Sequence, residues 1–235
     1  MKAMILAAGR GERLRPLTDK IPKPLVEVAG KPLIVYHIER LAALGVTDIV
    51  INHAWLGDKL IQALGDGGRW QVKLHYSGET EALETGGGIK NALELLGSEP
   101  FLVINGDVFI DALPTIAAQP LSLMAIKAAM GEALAYLWLV DNPLQHPEGD
   151  FALLEGRLSA AGPSKLTFSG MGIYQPALFN GTTSKRFALA PLLKDKMAQG
   201  LVAGEHFNGF WCDVGTVERL AALNTRMTTL DKKQD

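Results

Sequence analysis

The sequence predicts an α/β fold in which helices cover both faces of a sheet. In the first half, apolar runs of four to six residues alternate with segments of helical periodicity. Short apolar strands that alternate with helices are typical of parallel sheets buried on both faces. Beyond about residue 121, strand-like runs follow one another instead, which indicates a different arrangement in the second half.

The elements of the first half follow from apolar runs and from the residues that begin and end helices. Lys2–Leu6 is predicted as a short buried strand. Pro32 and Gly45 bracket an amphipathic helix over 32–44, because proline favours a helix start and glycine a helix end. The alternation then continues as strand, helix, strand, helix, strand over Asp48–Ile51, Leu56–Leu64, Val72–Tyr76, Ile89–Leu96 and Phe101–Asn105.

The second half is predicted to contain strands, a hairpin and two helices. The dipeptide Asn208-Gly209 lies between two β-prone runs and predicts a two-residue hairpin turn. A helix is expected to start after Thr216 as N-cap, with Glu218 favourably placed in its first turn. The remaining segments are strand-like at Leu121–Ala128, Leu134–Val140 and Thr167–Tyr174, helical at Leu189–Met197, and helical again at Thr216–Met227.

Length and composition indicate one large domain with a substantial core. The chain has 235 residues, of which 48% are hydrophobic. We expect the domain to span 1–230 and residues 231–235 to form a frayed tail. The formal net charge of −2 gives no overall attraction to nucleic acid or to membranes, so we expect neither as a partner, and any polyanion must meet a local cluster of basic residues.

The single cysteine and the first residues bear on location. Cys212 alone excludes an internal disulfide framework and a cysteine-based zinc site. The apolar run after Met1 is too short for a signal peptide, and no window approaches the roughly 20 apolar residues of a membrane-spanning helix. We therefore expect a cytoplasmic protein. The sequence does not predict its oligomeric state.

A basic, glycine-containing loop follows the first predicted strand. The stretch LAAGRGERLRPLTDKIPKPL carries five basic side chains around Gly9 and Gly11. A loop at the carboxyl end of a parallel strand is a common ligand site, and glycines let a phosphate approach the backbone closely. The stretch matches neither the Walker loop nor the dinucleotide pattern, since Leu14 occupies the position of the third glycine. The alternative is a surface turn that happens to be basic.

Lys23 is the basic residue of this loop with the most constrained backbone. It lies between Pro22 and Pro24, which restrict the chain on both sides. A lysine held in this way suits a fixed cation better than a solvated surface position.

The loop carries a resemblance to a known family. LAAGRGERLRPLT and PKPL resemble the signature of sugar-1-phosphate nucleotidyltransferases, which join a nucleoside triphosphate to a sugar 1-phosphate and release pyrophosphate. The resemblance continues through NGD at 105–107 and WCDVGT at 211–216. It implies a single Rossmann-like nucleotidyltransferase domain with a mixed, mainly parallel central sheet flanked by helices.

Two aspartates are the candidate metal ligands. Asp107 follows the predicted strand FLVIN, and Asp213 follows the β-prone run FWC. Each alone is compatible with ordinary turn chemistry. The resemblance implies that Asp107 and Asp213 bind Mg²⁺, which suits phosphoryl-group chemistry because the reaction needs charge neutralisation.

The resemblance also implies roles for the loop and for a second glycine-rich segment, ALETGGGIKNAL. Arg13 and the amides near Gly9 and Gly11 would hold the triphosphate, while Lys23 and Mg²⁺ offset charge at the α-phosphate. The catalytic candidates are thus Arg13, Lys23, Asp107 and Asp213. The nucleotide-binding candidates are Ala8, Gly9, Gly11, Arg13, Lys23, Glu84, Thr85, Gly86 and Gly87.

Other segments bear on the base and the sugar. The glycine-rich segment departs from the glycine-Leu-Ala pattern that thymidylyl- and uridylyl-transferring members often show, which leaves the identity of a pyrimidine base open. INHAWLG, LETGGGI, VDNP and TFSGMGIY most resemble members that transfer a uridylyl group from UTP to N-acetylmuramic acid α-1-phosphate. The candidates for the sugar pocket are Asn105, Asp141, Ser169 and Gly170.

The sequence departs from the family pattern at one segment, and two alternative functions remain open. Members that act on glucose 1-phosphate usually hold the sugar phosphate with the lysine of a Glu-Lys-Pro segment, which this chain lacks between Phe151 and Gly170; Lys165 or Arg157 could replace it. A mannose-1-phosphate guanylyltransferase is the nearest alternative activity. A non-catalytic subunit that binds nucleotide sugars is the alternative of a different class.

Overall fold

A computed structural model describes residues 1–231. Its strands are β1 (Ala3–Leu6), β2 (Glu27–Val28), β3 (Lys31–Pro32), β4 (Asp48–His53), β5 (Lys73–Gly78), β6 (Phe101–Asn105), β7 (Val108–Ile110), β8 (Ala135–Val140), β9 (Phe151–Leu154), β10 (Arg157–Ser159), β11 (Lys165–Tyr174), β12 (Val202–His206) and β13 (Trp211–Asp213). Its α-helices are α1 (Leu17–Lys20), α2 (Leu33–Ala43), α3 (Gly57–Leu64), α4 (Glu84–Asn91), α5 (Leu93–Leu96), α6 (Leu123–Met130), α7 (Leu189–Ala198) and α8 (Val217–Asp231). Short 3₁₀ turns occur at Glu12–Leu14, Lys23–Leu25, Gly68–Trp70 and Pro176–Phe179.

The central sheet has nine strands in the order β5-β4-β1-β6-β11-β8-β12-β10-β9. The first four are parallel, β11 runs antiparallel between β6 and β8, and β12 is parallel to β8. The predicted mixed sheet flanked by helices is confirmed. In this register Leu6 lies opposite both Asn52 and Asn105, so the carboxyl ends of β1, β4 and β6 meet at one edge.

Two hydrophobic clusters occupy the two faces of the sheet. Alternate side chains of β1 point to opposite faces, so Ile5 packs in one cluster and Met4 in the other. Ile38 of α2 belongs to the cluster of Ile5, and Ile89 of α4 to that of Met4. Helices therefore cover both faces, as the alternation of apolar runs predicts.

The strand predicted over Leu121–Ala128 is wrong, because this segment forms α6 instead. Ser122 caps the helix: its side-chain oxygen accepts a hydrogen bond from the Ala125 amide at 3.2 Å. Gly131, with φ of 53°, ends it. The intervening sequence LMAIKAAM consists mainly of strong helix formers, which outweigh its continuous apolar character.

The hairpin predicted at Asn208-Gly209 is also wrong. The run before it, β12, pairs in parallel with β8, while the run after it, β13, pairs with β7 in a separate two-stranded ribbon. The two runs thus belong to different sheets, and tertiary pairing overrides the local turn signal. A hairpin that was not predicted joins β9 to β10 through Glu155 and Gly156, whose φ values of 48° and 78° suit a two-residue turn.

The last helix begins as predicted. The backbone amide of Arg219 donates to the Thr216 hydroxyl oxygen at 3.4 Å, which identifies Thr216 as the N-cap of α8. The predicted tail at 231–235 lies outside the described residues, apart from Asp231, which ends α8. The domain limits of 1–230 stay a prediction. Within residues 1–231, no helix combines the length and apolar character needed to cross a membrane.

Candidate active site

The loop after β1 is folded around Gly11 and Lys23. Gly11 adopts φ of 66°, and its carbonyl accepts hydrogen bonds from the Leu14 amide at 2.9 Å and the Thr18 hydroxyl at 2.8 Å. A β-carbon on Gly11 would lie 2.9 Å from Thr18 Cγ2 and 3.0 Å from Lys23 Cβ, so glycine permits this close approach. Gly9 is open, because a β-carbon there would have no neighbouring atom within 4 Å. The loop thereby packs against the Lys23 side chain and leaves backbone open at Gly9.

Asp107 lies at the end of the neighbouring strand, in the turn between β6 and β7. Gly106 makes this position possible, because a β-carbon there would lie 2.6 Å from the Leu6 carbonyl oxygen. The Lys23 ammonium donates to Asp107 Oδ2 at 2.6 Å. Since Lys23 is only 8% exposed, the pair is a fixed contact between the loop and this strand end.

A two-stranded ribbon brings Asp213 to the same edge. In the pairing of β13 with β7, Asp213 lies opposite Val108, and the Val214 amide donates to the Asp107 carbonyl oxygen at 2.7 Å. Arg219 Nη1 contacts both Asp213 carboxylate oxygens at 2.5 Å. Gln145 Nε2 donates to Asp213 Oδ1 at 2.9 Å. Each candidate metal ligand therefore carries a cationic partner.

Three adjoining cavities form one cleft along this edge. The inner cavity, of about 280 Å³, and the middle cavity, of about 250 Å³, share Asn105 and Asp107. The outer cavity, of about 470 Å³, shares Asp213 with the middle one. The predicted residues that line the inner cavity are Ala8, Gly9, Gly11, Lys23, Glu84, Thr85, Asn105 and Asp107. Those that line the middle cavity are Asn105, Asp107, Ser169, Gly170 and Asp213, while Asp141 and Asp213 line the outer one.

Three predicted residues do not line the cleft directly. Arg13 is exposed and lies beside Gly215, where a β-carbon would be 3.1 Å from its Nη2. Gly86 and Gly87 are buried in α4, and β-carbons on these two glycines would meet Phe187 Cε2 at 2.4 Å and the Lys185 carbonyl at 2.2 Å, respectively. These glycines allow α4 to pack closely against the segment 185–187, which positions the neighbouring Glu84 and Thr85.

The predicted sugar-pocket residues differ in the contacts that their side chains and backbone make. A β-carbon on Gly170 would lie 2.7 Å from Asn105 Nδ2, so these two residues are in contact. The buried Ser169 hydroxyl donates to the Trp138 carbonyl at 2.6 Å and accepts from the Met171 amide. The Ser169 carbonyl also accepts from Trp211 Nε1 at 2.7 Å, so this residue fixes the wall of the middle cavity. Asp141, which lines the outer cavity, has its Oδ1 3.0 Å from His206 Nε2.

A buried polar pair in the wall of the inner cavity, Asn52 and Glu79, was not predicted. Asn52 Oδ1 accepts from the Ala7 amide at 2.8 Å, and its Nδ2 donates to Glu79 Oε1 at 2.7 Å. Glu79 Oε2 accepts from the Leu83 amide at 3.0 Å. The pair thereby ties the carboxyl ends of β1, β4 and β5 to the start of α4. The sequence signal was weak: INHAWLG contains Asn52 but gives this asparagine no role, and Glu79 follows a strand without any motif.

Arg219, Gln145 and His146 were also missed. Arg219 lines the outer cavity, His146 the middle one and Gln145 both. His146 Nε2 lies 3.1 Å from Asp150 Oδ1, whose carboxylate also accepts from the Phe168 amide. Arg219 could have been found from its place one helical turn into the helix after WCDVGT.

The donor set of the cleft fits a hard divalent cation. Within residues 1–231, no group of three histidine, cysteine, aspartate or glutamate side chains could hold a metal ion. Mg²⁺, however, is commonly bound by one or two carboxylates together with substrate phosphates and water. Asp107 and Asp213 supply two carboxylates at the rim of one cavity. Burial and the Asp213 carboxylate raise the pKa of the Cys212 thiol, so this thiol is not a competing nucleophile.

A buried histidine supports the turn that carries Asp107. His37 of α2 donates through Nε2 to the Val108 carbonyl oxygen at 2.8 Å, and its Nδ1 has no hydrogen-bond partner among residues 1–231. Burial lowers the pKa of His37 from 6.5 to about 4, against the opposing effect of the Val108 hydrogen bond. The folded protein therefore holds this imidazole neutral at neutral pH.

We expect this histidine to make the protein less stable in acid. Because the folded-state pKa is the lower one, the unfolded chain binds more protons between pH 6.5 and about 4, and stability falls as pH drops through that window. The loss from His37 is at most about 3 kcal/mol. The free energy of unfolding, measured in urea at about pH 7 and about pH 4.5, should fall less for His37→Gln than for the wild type. The glutamine amide can still donate to the Val108 carbonyl.

The control for comparing the wild type with His37→Gln is the same measurement above pH 6.5. Above the unfolded-state pKa both states hold His37 neutral, so the two proteins should show the same pH dependence there. An equal loss of stability in acid for both proteins would contradict the assignment.

Comparisons with known proteins show the family of this chain. The family model for nucleotidyl transferases matches residues 2–139. Over 225 residues, the chain is 53% identical to an N-acetylmuramate alpha-1-phosphate uridylyltransferase of Neisseria meningitidis serogroup B, covering 94% of this chain and 95% of that protein. A protein of the same name from Caulobacter vibrioides is 36% identical over 242 residues, with 96% of each chain covered.

A solved structure supports the fold alone. The crystal structure of a UDP-glucose pyrophosphorylase complexed with UDP-glucose superposes with a TM-score of 0.75 at 20% identity, covering 97% of this chain and 98% of the other. The loop, the two aspartates and the matches to full-length relatives agree with the resemblance found in the sequence. The chain belongs to the nucleotidyl transferase family.

Proposed function

We propose that the protein transfers a uridylyl group from UTP to N-acetylmuramic acid α-1-phosphate, giving UDP-N-acetylmuramic acid and pyrophosphate. The observation that carries the reaction class is the convergence of Lys23, Asp107 and Asp213 in one cleft beside the glycine loop. The 53% identity to a relative named for this activity, over nearly the whole of both chains, supports the choice of base and sugar.

The proposed chemistry is an in-line displacement at the α-phosphorus. An oxygen of the sugar phosphate forms the new P–O bond, while the bond from the α-phosphorus to the bridging oxygen of the β-phosphate breaks and pyrophosphate leaves. No general base is needed, because the attacking phosphate is already ionised. The work of the protein is therefore positioning and charge neutralisation.

Lys23 would stabilise the negative charge that grows on the α-phosphate. Its ammonium is held in a nearly buried position at the wall shared with Asp107, so it need not reorganise when negative charge grows on the α-phosphate. Gly9 and Gly11 would present backbone to the phosphates, and Arg13 would hold the triphosphate end.

Asp107 and Asp213 would hold Mg²⁺ in this proposal. When bound, such an ion offsets the charge of the reacting phosphates as a Lewis acid. Both residues line the middle cavity, which adjoins the inner cavity proposed for the nucleotide. The residues proposed for the sugar lie along the same cleft: Asn105, Ser169 and Gly170 line the middle cavity, and Asp141 lines the outer one. Glu84 and Thr85 at the far wall of the inner cavity are proposed to contact the nucleotide, with Gly86 and Gly87 positioning them.

The proposed role is in cell-wall sugar recycling in the cytoplasm. A nucleoside triphosphate and a sugar 1-phosphate are the proposed ligands, with no nucleic acid or membrane partner. The net charge of −2 and the cluster of five basic residues in one loop support small anionic ligands over an extended polyanion.

The test is pyrophosphate release with Mg²⁺ across a matrix of substrates. UTP, dTTP, CTP and GTP would each be combined with the 1-phosphates of N-acetylmuramic acid, N-acetylglucosamine, glucose and mannose. Turnover confined to UTP with the muramic substrate is the expected result. Preference for GTP with mannose 1-phosphate would keep the catalytic residues but overturn the proposed substrates, and binding without turnover in any combination would favour a regulatory subunit.

A further inference from the structure

Arg219 is a cation of the cleft to which the motifs assign no role. It lies in the first turn of α8, where Nη1 contacts both carboxylate oxygens of Asp213 at 2.5 Å. Its side chain is 19% exposed and lines the outer cavity. By contrast, Arg157 lies on β10 near the far edge of the sheet and donates to the Gly200 carbonyl at 3.3 Å.

A second arginine lies against the first. A β-carbon on Gly215 would lie 2.4 Å from Arg219 Nη2 and 3.1 Å from Arg13 Nη2, so both guanidinium groups approach the same glycine. Within residues 1–231, the Arg13 side chain has no hydrogen bond or ion pair, and Nη2 of Arg219 donates to no acceptor. Asp213 pairs with Arg219 alone, so the two neighbouring guanidinium groups leave uncompensated positive charge and free N–H donors.

This arrangement suits a polyphosphate better than a structural ion pair. If Arg219 served only to neutralise Asp213, nothing would favour placing a second, unpaired arginine beside it, because like charges repel. Guanidinium groups bind phosphate oxygens through paired N–H donors. A divalent cation that binds Asp213 also competes with Arg219 for the same oxygens, which frees Nη1 as a further donor.

We propose that Arg219 is a phosphate-binding residue that, with Arg13, holds the terminal phosphates of the nucleoside triphosphate and the pyrophosphate they become. The inference rests on the proposed reaction class but not on the identity of the base or the sugar. Asp213 then has a cationic partner before the metal binds, and the same cation serves the ligand afterwards.

The direct test is calorimetric binding of inorganic pyrophosphate to the full chain in saturating Mg²⁺. Arg219→Gln should weaken this binding by about 10- to 100-fold, the range expected for losing charged hydrogen bonds. Arg226→Gln is the matched control, because it makes the same change on the same helix and Arg226 lines none of the three cavities. Its guanidinium stacks at 3.8 Å on Phe210, a residue in the wall of the outer cavity. This control should bind pyrophosphate as the wild type does.

A second readout separates ligand binding from mere positioning of Asp213. Electron paramagnetic resonance of Mn²⁺ without nucleotide should show that Arg219→Gln binds the metal more tightly than the wild type, because the competing cation is gone. In steady state, the KM for UTP should rise and that for the sugar 1-phosphate should not. Weaker Mn²⁺ binding with unchanged pyrophosphate affinity, or a rise confined to the sugar-phosphate KM, would overturn the proposal.

Two further results keep the inference distinct from the proposed function. Equal pyrophosphate affinity of wild type and Arg219→Gln, or none for the wild type, overturns the arginine assignment whatever the substrate matrix shows. Pyrophosphate binding that depends on Arg219 supports the arginine assignment even if the protein does not turn over UTP with the muramic substrate. If Arg219→Gln does not fold, Gly215→Ala is the substitute, because its β-carbon would displace the Arg219 guanidinium, and the same loss of affinity is expected.

Discussion

Replacing Lys23 with alanine should lower kcat by about 10² to 10³ while the protein stays folded. The ammonium of Lys23 lies 2.6 Å from Asp107 in a nearly buried position, so it is preorganised for charge that develops beside it. Water cannot supply the same stabilisation, because it must reorient as the charge forms. The measurement is single-turnover kinetics at saturating substrate, with circular dichroism to verify folding.

Lys20→Ala is the matched control for this substitution. Lys20 belongs to the same loop, is exposed and lines none of the three cavities of the cleft. Its loss removes the same charge from the loop without removing a cation from the cleft, so kcat should not change. A folded Lys23→Ala protein with normal turnover would refute the role of Lys23.

Asp107→Asn should reduce turnover by at least about 10³, since the charge stabilisation supplied by a bound metal amounts to several kcal/mol. The change keeps the shape of the side chain and an oxygen that can accept the Lys23 hydrogen bond. It removes the charge that binds a cation, so Mn²⁺ affinity measured by electron paramagnetic resonance should fall together with activity. Chelation of the metal in the wild type should likewise abolish turnover.

The control for this aspartate lies on the same ribbon. Asp111 follows β7, and its carboxylate accepts from the Phe210 amide at 3.2 Å, while Asp111 itself lines none of the three cavities. Asp111→Asn makes the same chemical change without altering the cleft, and we expect wild-type metal affinity. If Asp107→Asn kept both metal binding and turnover, another residue would have to hold the metal.

Much of the fold was predictable because its signals are local. The apolar runs before Leu6, His53 and Asn105 are strands buried on both faces, and the helices between them carry clear periodicity. Where local and tertiary signals disagreed, the tertiary ones decided: β12 and β13 find partners in β8 and β7, and not in each other. The segment after Ser122 shows the opposite error, since its cap and helix-forming residues were local signals that its apolar character obscured.

The candidate site was predictable where one segment holds several site residues. The glycine loop and Lys23 form such a segment, and Asp107 and Asp213 each end a strand-like run. Asn52 could not be found in the same way. Arg219 lies three residues after WCDVGT, but its position alone gives it no role, because the function of both residues depends on partners far away in the chain. Asn52 pairs with Glu79, and Arg219 meets Arg13 only after the ribbon has folded back on the loop.

The most direct test of the account is to identify the products formed from UTP and N-acetylmuramic acid α-1-phosphate with Mg²⁺. Phosphorus nuclear magnetic resonance with mass spectrometry would follow both products in one reaction. The account predicts UDP-N-acetylmuramic acid and pyrophosphate in equal amounts, and neither product after chelation of the metal. Unchanged substrates, or pyrophosphate without the nucleotide sugar, would contradict it.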